Sequence, residues 1–195
     1  MSKHHVVYVP GLDDSRKGYE LIIEKWKIYG VVPHVYRMGW KDGETSFKPK
    51  LKRFTSYIDQ LPINKDLVSL VGASAGGSAV LNTYIERPQI HAVINLCGRL
   101  REGKNVHPSL DFASRKSPAF KESVKLFEKR EPNMTATQRG KVLTITPLWD
   151  EVVPRSTVSL SGAVNKTIPS VEHMLSGLLC ITIFSPLIFK FILKK

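Results

Sequence analysis

The segment Leu67-Val68-Ser69-Leu70-Val71 is almost wholly apolar and runs directly into Gly72-Ala73-Ser74-Ala75-Gly76-Gly77. A run of this kind suits a strand buried on both faces, which the centre of a parallel sheet provides. The glycine-rich turn then stops the strand, and a helix over about 78–85 takes over. Parallel neighbours cannot be joined by tight hairpins, so each needs a crossover connection. This one segment therefore commits the rest of the chain to supplying strand–helix–strand units.

The rest of the 195-residue sequence supplies them. Val6-Val7-Tyr8-Val9 reads as a strand stopped by Pro10-Gly11. Tyr19, Ile22, Ile23, Trp26 and Tyr29 recur at helical spacing, with Gly30 ending the helix. Residues 31–36 form a second strand, placed at an edge because Pro33 lacks a ladder donor. A basic loop over 37–46 leads to a second amphipathic helix marked by Phe47, Leu51, Phe54, Ile58 and Leu61. Residues 91–96 are another buried strand, 142–146 a further one, and 163–168 a last, weaker one. Pro154 can open a short helix between the last two. Six strands alternating with helices predict an α/β fold: a mostly parallel six-stranded sheet with helices on both faces. No linker or repeat divides the chain, so residues 1–195 read as one domain, with 99–140 as a small insertion or cap-like segment holding one clear helix around Phe120, Val124 and Phe127.

Composition excludes several classes. Hydrophobic residues at 42% argue against disorder, and two cysteines, Cys97 and Cys180, are too few for a disulfide scaffold. Both sit in apolar runs and read as buried free thiols, which favours a reducing compartment. No Cys/His spacing suits a metal site, and the N-terminus lacks the apolar core of a signal peptide, so a cytoplasmic location is expected. The net charge is +12, concentrated in 37–53 and 99–139. It reads as a solvated basic surface, with attraction of an anionic substrate or membrane as the functional alternative. Nucleic acid is disfavoured, because the basic segments carry neither interleaved aromatics nor a helix-turn-helix signature.

In a parallel sheet, ligands bind outside the carboxyl ends of the strands. Gly72-Ala73-Ser74-Ala75-Gly76 lies there and matches G-x-S-x-G, the strand–turn–helix pattern of a nucleophilic serine. A serine hydroxyl needs a base, and the base an orienting carboxylate. Of six histidines, His4, His5, His34 and His91 fall near the wrong ends of strands or on an edge, and His107 lies in the irregular segment. His173 follows the last strand. Asp150 follows the strand over 142–146, with Glu151 as its rival. The order Ser74, Asp150, His173 is the order this motif class uses. The Ala75 and Leu12 N–H groups are the candidate oxyanion donors, whereas Asp13 and Asp14 read as helix caps.

With these residues in place, the chain resembles the α/β-hydrolase superfamily in its small, nearly lidless form. The resemblance spans Pro10-Gly11-Leu12, the Gly72–Gly76 turn, Pro147-Leu148-Trp149-Asp150-Glu151-Val152-Val153-Pro154 and Glu172-His173. It implies cleavage of a carboxylic ester, thioester or amide through an acyl-serine, with a small-molecule acyl substrate and no metal or organic cofactor. Acyl transfer by the same triad is one alternative; a non-catalytic membrane-surface or protein-binding module on the same fold is another. The chain departs from the family in starting at what would be the third strand and in having Pro10-Gly11 where His-Gly is usual.

Residues 174–189 carry no charge. Sixteen helical residues reach about 24 Å, short of a hydrocarbon core of about 30 Å, and Pro186 would kink them. A last helix packed on the sheet is expected, with peripheral membrane contact through 174–193 or a true membrane span as the alternatives.

Overall fold

Six strands form a single sheet: β1 (His4–Val9), β2 (Val32–Val35), β3 (Leu67–Ala73), β4 (Ala92–Leu96), β5 (Val142–Trp149) and β6 (Val164–Val171). Their order is β2-β1-β3-β4-β5-β6, and every neighbouring pair is parallel. The computed structural model describes residues 2–62 and 65–194; Met1 and Lys195, which belong to the N-terminus and tail read above, lie outside them. The chain first winds outward from β1 to β2, then recrosses β1 to reach β3 and winds the other way. The winding thus reverses between β1 and β3, and the crevice outside their carboxyl ends is where such sheets bind ligands.

Side chains alternate along each strand, and the two sets feed two cores. Val7, Val9, Val68, Leu70, Val93 and Val142 face α2 (Phe47–Gln60), α3 (Ala75–Glu86) and α5 (Pro118–Arg130), whose Phe54, Ile58, Leu81, Phe120 and Phe127 are fully or almost fully buried. Val6, Tyr8, Val71, Ile94, Leu96 and Ile145 face α1 (Tyr19–Glu24), the helical turn Lys25–Tyr29 after it, α7 (His173–Ile181) and α8 (Ser185–Ile192) through Ile23, Trp26, Cys180, Ile181 and Phe189. Both cysteines are free and buried; the neighbouring Cys180 thiol, followed by burial, pushes the Cys97 thiol up.

Several elements differ from the sequence reading. The sheet is wholly rather than mostly parallel. The strand expected to end at Thr146 continues to Trp149, because Pro147 and Leu148 still lie alongside β6, with a register irregularity between Pro147 and Trp149. Segment 99–140 is more helical than expected: α4 (Leu110–Ala113) and α6 (Ala136–Gly140) flank α5. Ser109 caps α4, and Thr135 with Gln138 forms a reciprocal capping box on α6. Neither signal stands out in a segment lacking apolar periodicity. Asp13 and Asp14 do not cap α1, whose N-cap is Gly18. Asp14 instead accepts hydrogen bonds from the Gly39 and Trp40 N–H groups at 2.7 and 3.4 Å, tying the 37–40 loop to the first one, and Asp13 pairs with Lys41.

The apolar tail is two helices rather than one kinked helix. They meet at 54°, and Pro186 sits in the first turn of α8, where a missing N–H costs nothing. Both join the core that covers this face of the sheet and also meet the turn Lys25–Tyr29: the Trp26 indole donates to the Ile181 carbonyl at 3.0 Å, and Phe189 stacks on Tyr29 with ring centroids 4.0 Å apart. Among the described residues no single helix is long and apolar enough to cross a membrane; α7 and α8 pass that test only jointly, as the bent pair.

Candidate active site

Ser74 sits between β3 and α3 with φ 52° and ψ −119°, a left-handed conformation that non-glycine residues rarely adopt. The flanking glycines make so sharp a turn feasible. A Cβ on Gly72 would stand 2.3 Å from the Gly76 carbonyl oxygen, and one on Gly76 would stand 2.1 Å from the Val9 carbonyl oxygen. The turn is thus pressed against both itself and β1. The loop after β1 closes from the other side, where a Cβ on Gly11 would lie 2.9 Å from Ser74 Cβ.

The Ser74 hydroxyl lies 2.8 Å from His173 Nε2, and His173 Nδ1 lies 2.8 Å from Asp150 Oδ2. With a carboxylate at Nδ1, the proton sits there, and Nε2 is left to accept from the Ser74 hydroxyl. The His173 and Asp150 side chains are 7% and 3% exposed, so water competes little for these bonds. Asp150 is itself held: its Oδ1 accepts from the Val152 and Val153 N–H groups at 2.9 and 2.7 Å. Three residues separated by up to 99 positions therefore meet at the carboxyl edge.

Glu151, the rival for the acid, has a different place. Its carboxylate accepts the His173 backbone N–H at 3.0 and 3.2 Å. Asp150 thus holds the ring of His173 and Glu151 holds its main chain. Glu172 adds a third restraint that the sequence reading missed. It adopts φ 83° and caps α7, accepting from the Met174 and Leu175 N–H groups at 2.9 and 2.6 Å. These bonds hold its carboxyl below the usual carboxylate range. The available signal was an acidic residue immediately before an apolar helix.

Ala75 opens α3, where first-turn N–H groups have no intrahelical acceptor. Among the described residues, neither the Ala75 N–H nor the Leu12 N–H donates to a protein acceptor. Leu12 and Ser74 line one cavity of about 750 Å³ together with His173. One wall is α7, through Leu175, Leu178 and Ile181, and another is α4 and the loop after it. The other histidines are elsewhere. His4, His5, His34 and His91 gather at the opposite edge of the sheet, where His5 Nδ1 and His34 Nε2 lie 2.9 Å apart. Among the described residues no cluster of three or more His, Cys, Asp or Glu side chains could hold a metal ion.

No protein-family model matches the chain, and no curated protein matches it. Solved structures do. A monoacylglycerol lipase from Paleococcus ferrophilus is 16% identical over 98% of this chain and 96% of its own, with a TM-score of 0.65. A hydrolase from Oleispira antarctica is 11% identical over 100% and 92%, with a TM-score of 0.64. An esterase domain from a Rhodothermus marinus protein is 13% identical over 96% and 87%, with a TM-score of 0.59. At such identities the likeness is one of fold, and it extends over nearly the whole chain.

Proposed function

The chain has the fold of the α/β-hydrolases, and from that premise we propose that it is a serine hydrolase of carboxylic esters, thioesters or amides. The observation that carries this reading is the unbroken hydrogen-bonded series Ser74–His173–Asp150 at 2.8 Å per step. The fold's known members above, a lipase and an esterase domain among them, support the same chemistry.

In this mechanism Ser74 Oγ attacks the substrate carbonyl carbon while its proton passes to His173 Nε2. Asp150, fixed by two backbone N–H groups, stabilises the imidazolium that results. The Ala75 and Leu12 N–H groups stabilise the tetrahedral oxyanion. The carbon–heteroatom bond to the leaving group then breaks, and that group takes the proton from His173. Water, deprotonated by the same ring, attacks the acyl-serine; the carboxylic acid departs and Ser74 recovers its proton. Segment 99–140 caps the cavity through α4.

The test is covalent labelling by a fluorophosphonate, which reacts only with an activated serine. Wild-type protein should be labelled and should cleave p-nitrophenyl esters. Ser74→Ala should lose labelling and about 10⁴-fold or more in kcat, because members of a triad act as a unit. Its thermal midpoint should stay close to wild type. Full turnover by Ser74→Ala, or a wild-type serine inert to the probe, would refute the proposal.

A further inference from the structure

The cavity over Ser74 is lined by both apolar and cationic side chains. Leu175, Leu178 and Ile181 of α7 form an apolar wall, whereas Arg16, Lys17, Lys41, Arg115 and Lys116 also line it. These last five come from two separate stretches plus the 37–46 loop, so the fold, not one basic run, assembles them.

Carboxylate pairing is uneven among the basic side chains of these regions: among the described residues Lys48, Lys52, Lys104 and Lys129 also have no partner within 4.0 Å, but none of these four lines the cavity. In the 37–53 region Arg37, Lys50 and Arg53 all have carboxylate partners. In the 99–140 segment the same holds for Arg101, Lys121, Lys125, Arg130 and Arg139. Among the described residues, no carboxylate lies within 4.0 Å of Arg16, Lys17, Arg115 or Lys116. Lys41 alone of the five is paired, with Asp13. The Arg115 guanidinium stands 3.9 Å from the centre of the Phe112 ring, a stacking that braces it at the cavity wall. Asp13 senses the surplus: Lys41 first, with added attraction from Arg16 and Lys116, holds its carboxyl below the usual carboxylate range. The other carboxylate on the lining, Glu151, is engaged by the His173 N–H.

We infer that, if the chain is the serine hydrolase proposed above, its substrate is an amphiphile: an acyl ester or thioester with an apolar arm and a phosphate-bearing arm. The α7 wall takes the apolar arm. Two guanidinium forks, Arg16 and Arg115, with Lys17 and Lys116 beside them, take the phosphate, whose oxygens match planar donors and whose charge exceeds one. Hydrolysis consumes one water and releases a carboxylic acid and an alcohol or thiol, one of them bearing the phosphate. A phosphate of this kind occurs in a lysophospholipid headgroup or in a soluble phosphate-bearing thioester, and the two sources separate experimentally.

Two matched pairs test the idea, each used as monomers in solution. The first is 1-octanoylglycerol 3-phosphate against 1-octanoylglycerol. The second is octanoyl-coenzyme A against S-octanoyl-N-acetylcysteamine. At least one phosphate-bearing member should exceed its neutral partner about tenfold or more in kcat/KM at low ionic strength. That ratio should fall towards one by about 0.5 M salt, because exposed charges are screened over a few ångströms there. The pair showing the preference identifies the source. In the double variant Arg16→Gln/Arg115→Gln the ratio should collapse towards one, whereas the remote Lys141→Gln should leave it unchanged. Equal rates within both pairs, a preference for the neutral members, or a ratio indifferent to Arg16 and Arg115 would overturn the inference. So would failure to cleave all four in a protein whose Ser74 still takes the fluorophosphonate. Loss of labelling itself would instead sink the hydrolase reading beneath it.

Discussion

His173 is held by three consecutive-in-space carboxylates with three different tasks. Asp150 binds the ring, Glu151 the main-chain N–H, and Glu172 the first turn of the helix that follows. These tasks predict different costs. Asp150→Asn should lower kcat about 10³–10⁴-fold, since an amide at Nδ1 favours the wrong tautomer. Glu151→Gln should stay within a few fold of wild type, because an amide oxygen still accepts an N–H. Glu151→Ala should cost about tenfold with little change in KM. Steady-state kinetics of the three variants checks the ordering, and a crippling Glu151→Gln would reverse the two roles. Much of this site was legible in the residues: the small flanks of Ser74, the aspartate after a strand and the histidine after the last one each carry a local signal. The division of labour between Asp150 and Glu151 was not. Adjacent carboxylates look alike in a sequence, and only the backbone path decides which of them meets the ring.

Among the elements, α7 combines tasks that are usually separate. Its first residue is His173, the base of the proposed mechanism, one side lines the cavity, and the other side with α8 covers the sheet. Cys180 and Ile181 of α7 and Ile188, Phe189 and Ile192 of α8 are all buried. At about 1.5–3 kcal/mol for each large side chain, their loss matches a typical domain stability of about 5–15 kcal/mol. Removal of 175–195 should therefore give protein without a cooperative unfolding transition by circular dichroism; a folded, active truncation would show that the tail is dispensable to the core. The strands were readable because burial on two faces demands unbroken apolar runs, as in 67–71 and 91–96. The cap-like segment was less so. The fourth helix is four residues long and is specified by Ser109 accepting from Phe112 N–H, not by any periodicity, and the extension of β5 through Pro147 depends on the partner strand it meets.

The whole molecule has two unlike edges. Opposite Ser74 and His173, His4 is 7% exposed, bonded to Ser69 Oγ at 2.9 Å and faced by His91 and His5. Burial, then repulsion from His91 and His5, lowers its pKa from 6.5 to about 4. Burial and His5 lower His34 as well. The folded state thus refuses protons that the unfolded chain accepts below pH 6.5, so stability is complete above that value and is lost as pH falls towards 4. His4 alone can contribute about 3 kcal/mol to this loss. Urea midpoints should drop between pH 7 and 4.5, and His4→Gln should flatten the slope; a midpoint independent of pH would remove His4 from the account. The all-parallel topology has one more result. Every crossover leaves from the carboxyl edge, and α3 and α7 begin there, so their peptide dipoles point their positive ends at the triad. Together with the cations that line the cavity, this makes the mouth over Ser74 locally positive. A negatively charged molecule drifting nearby would feel a torque before it made any contact, and would arrive with its charged end already turned towards Ser74.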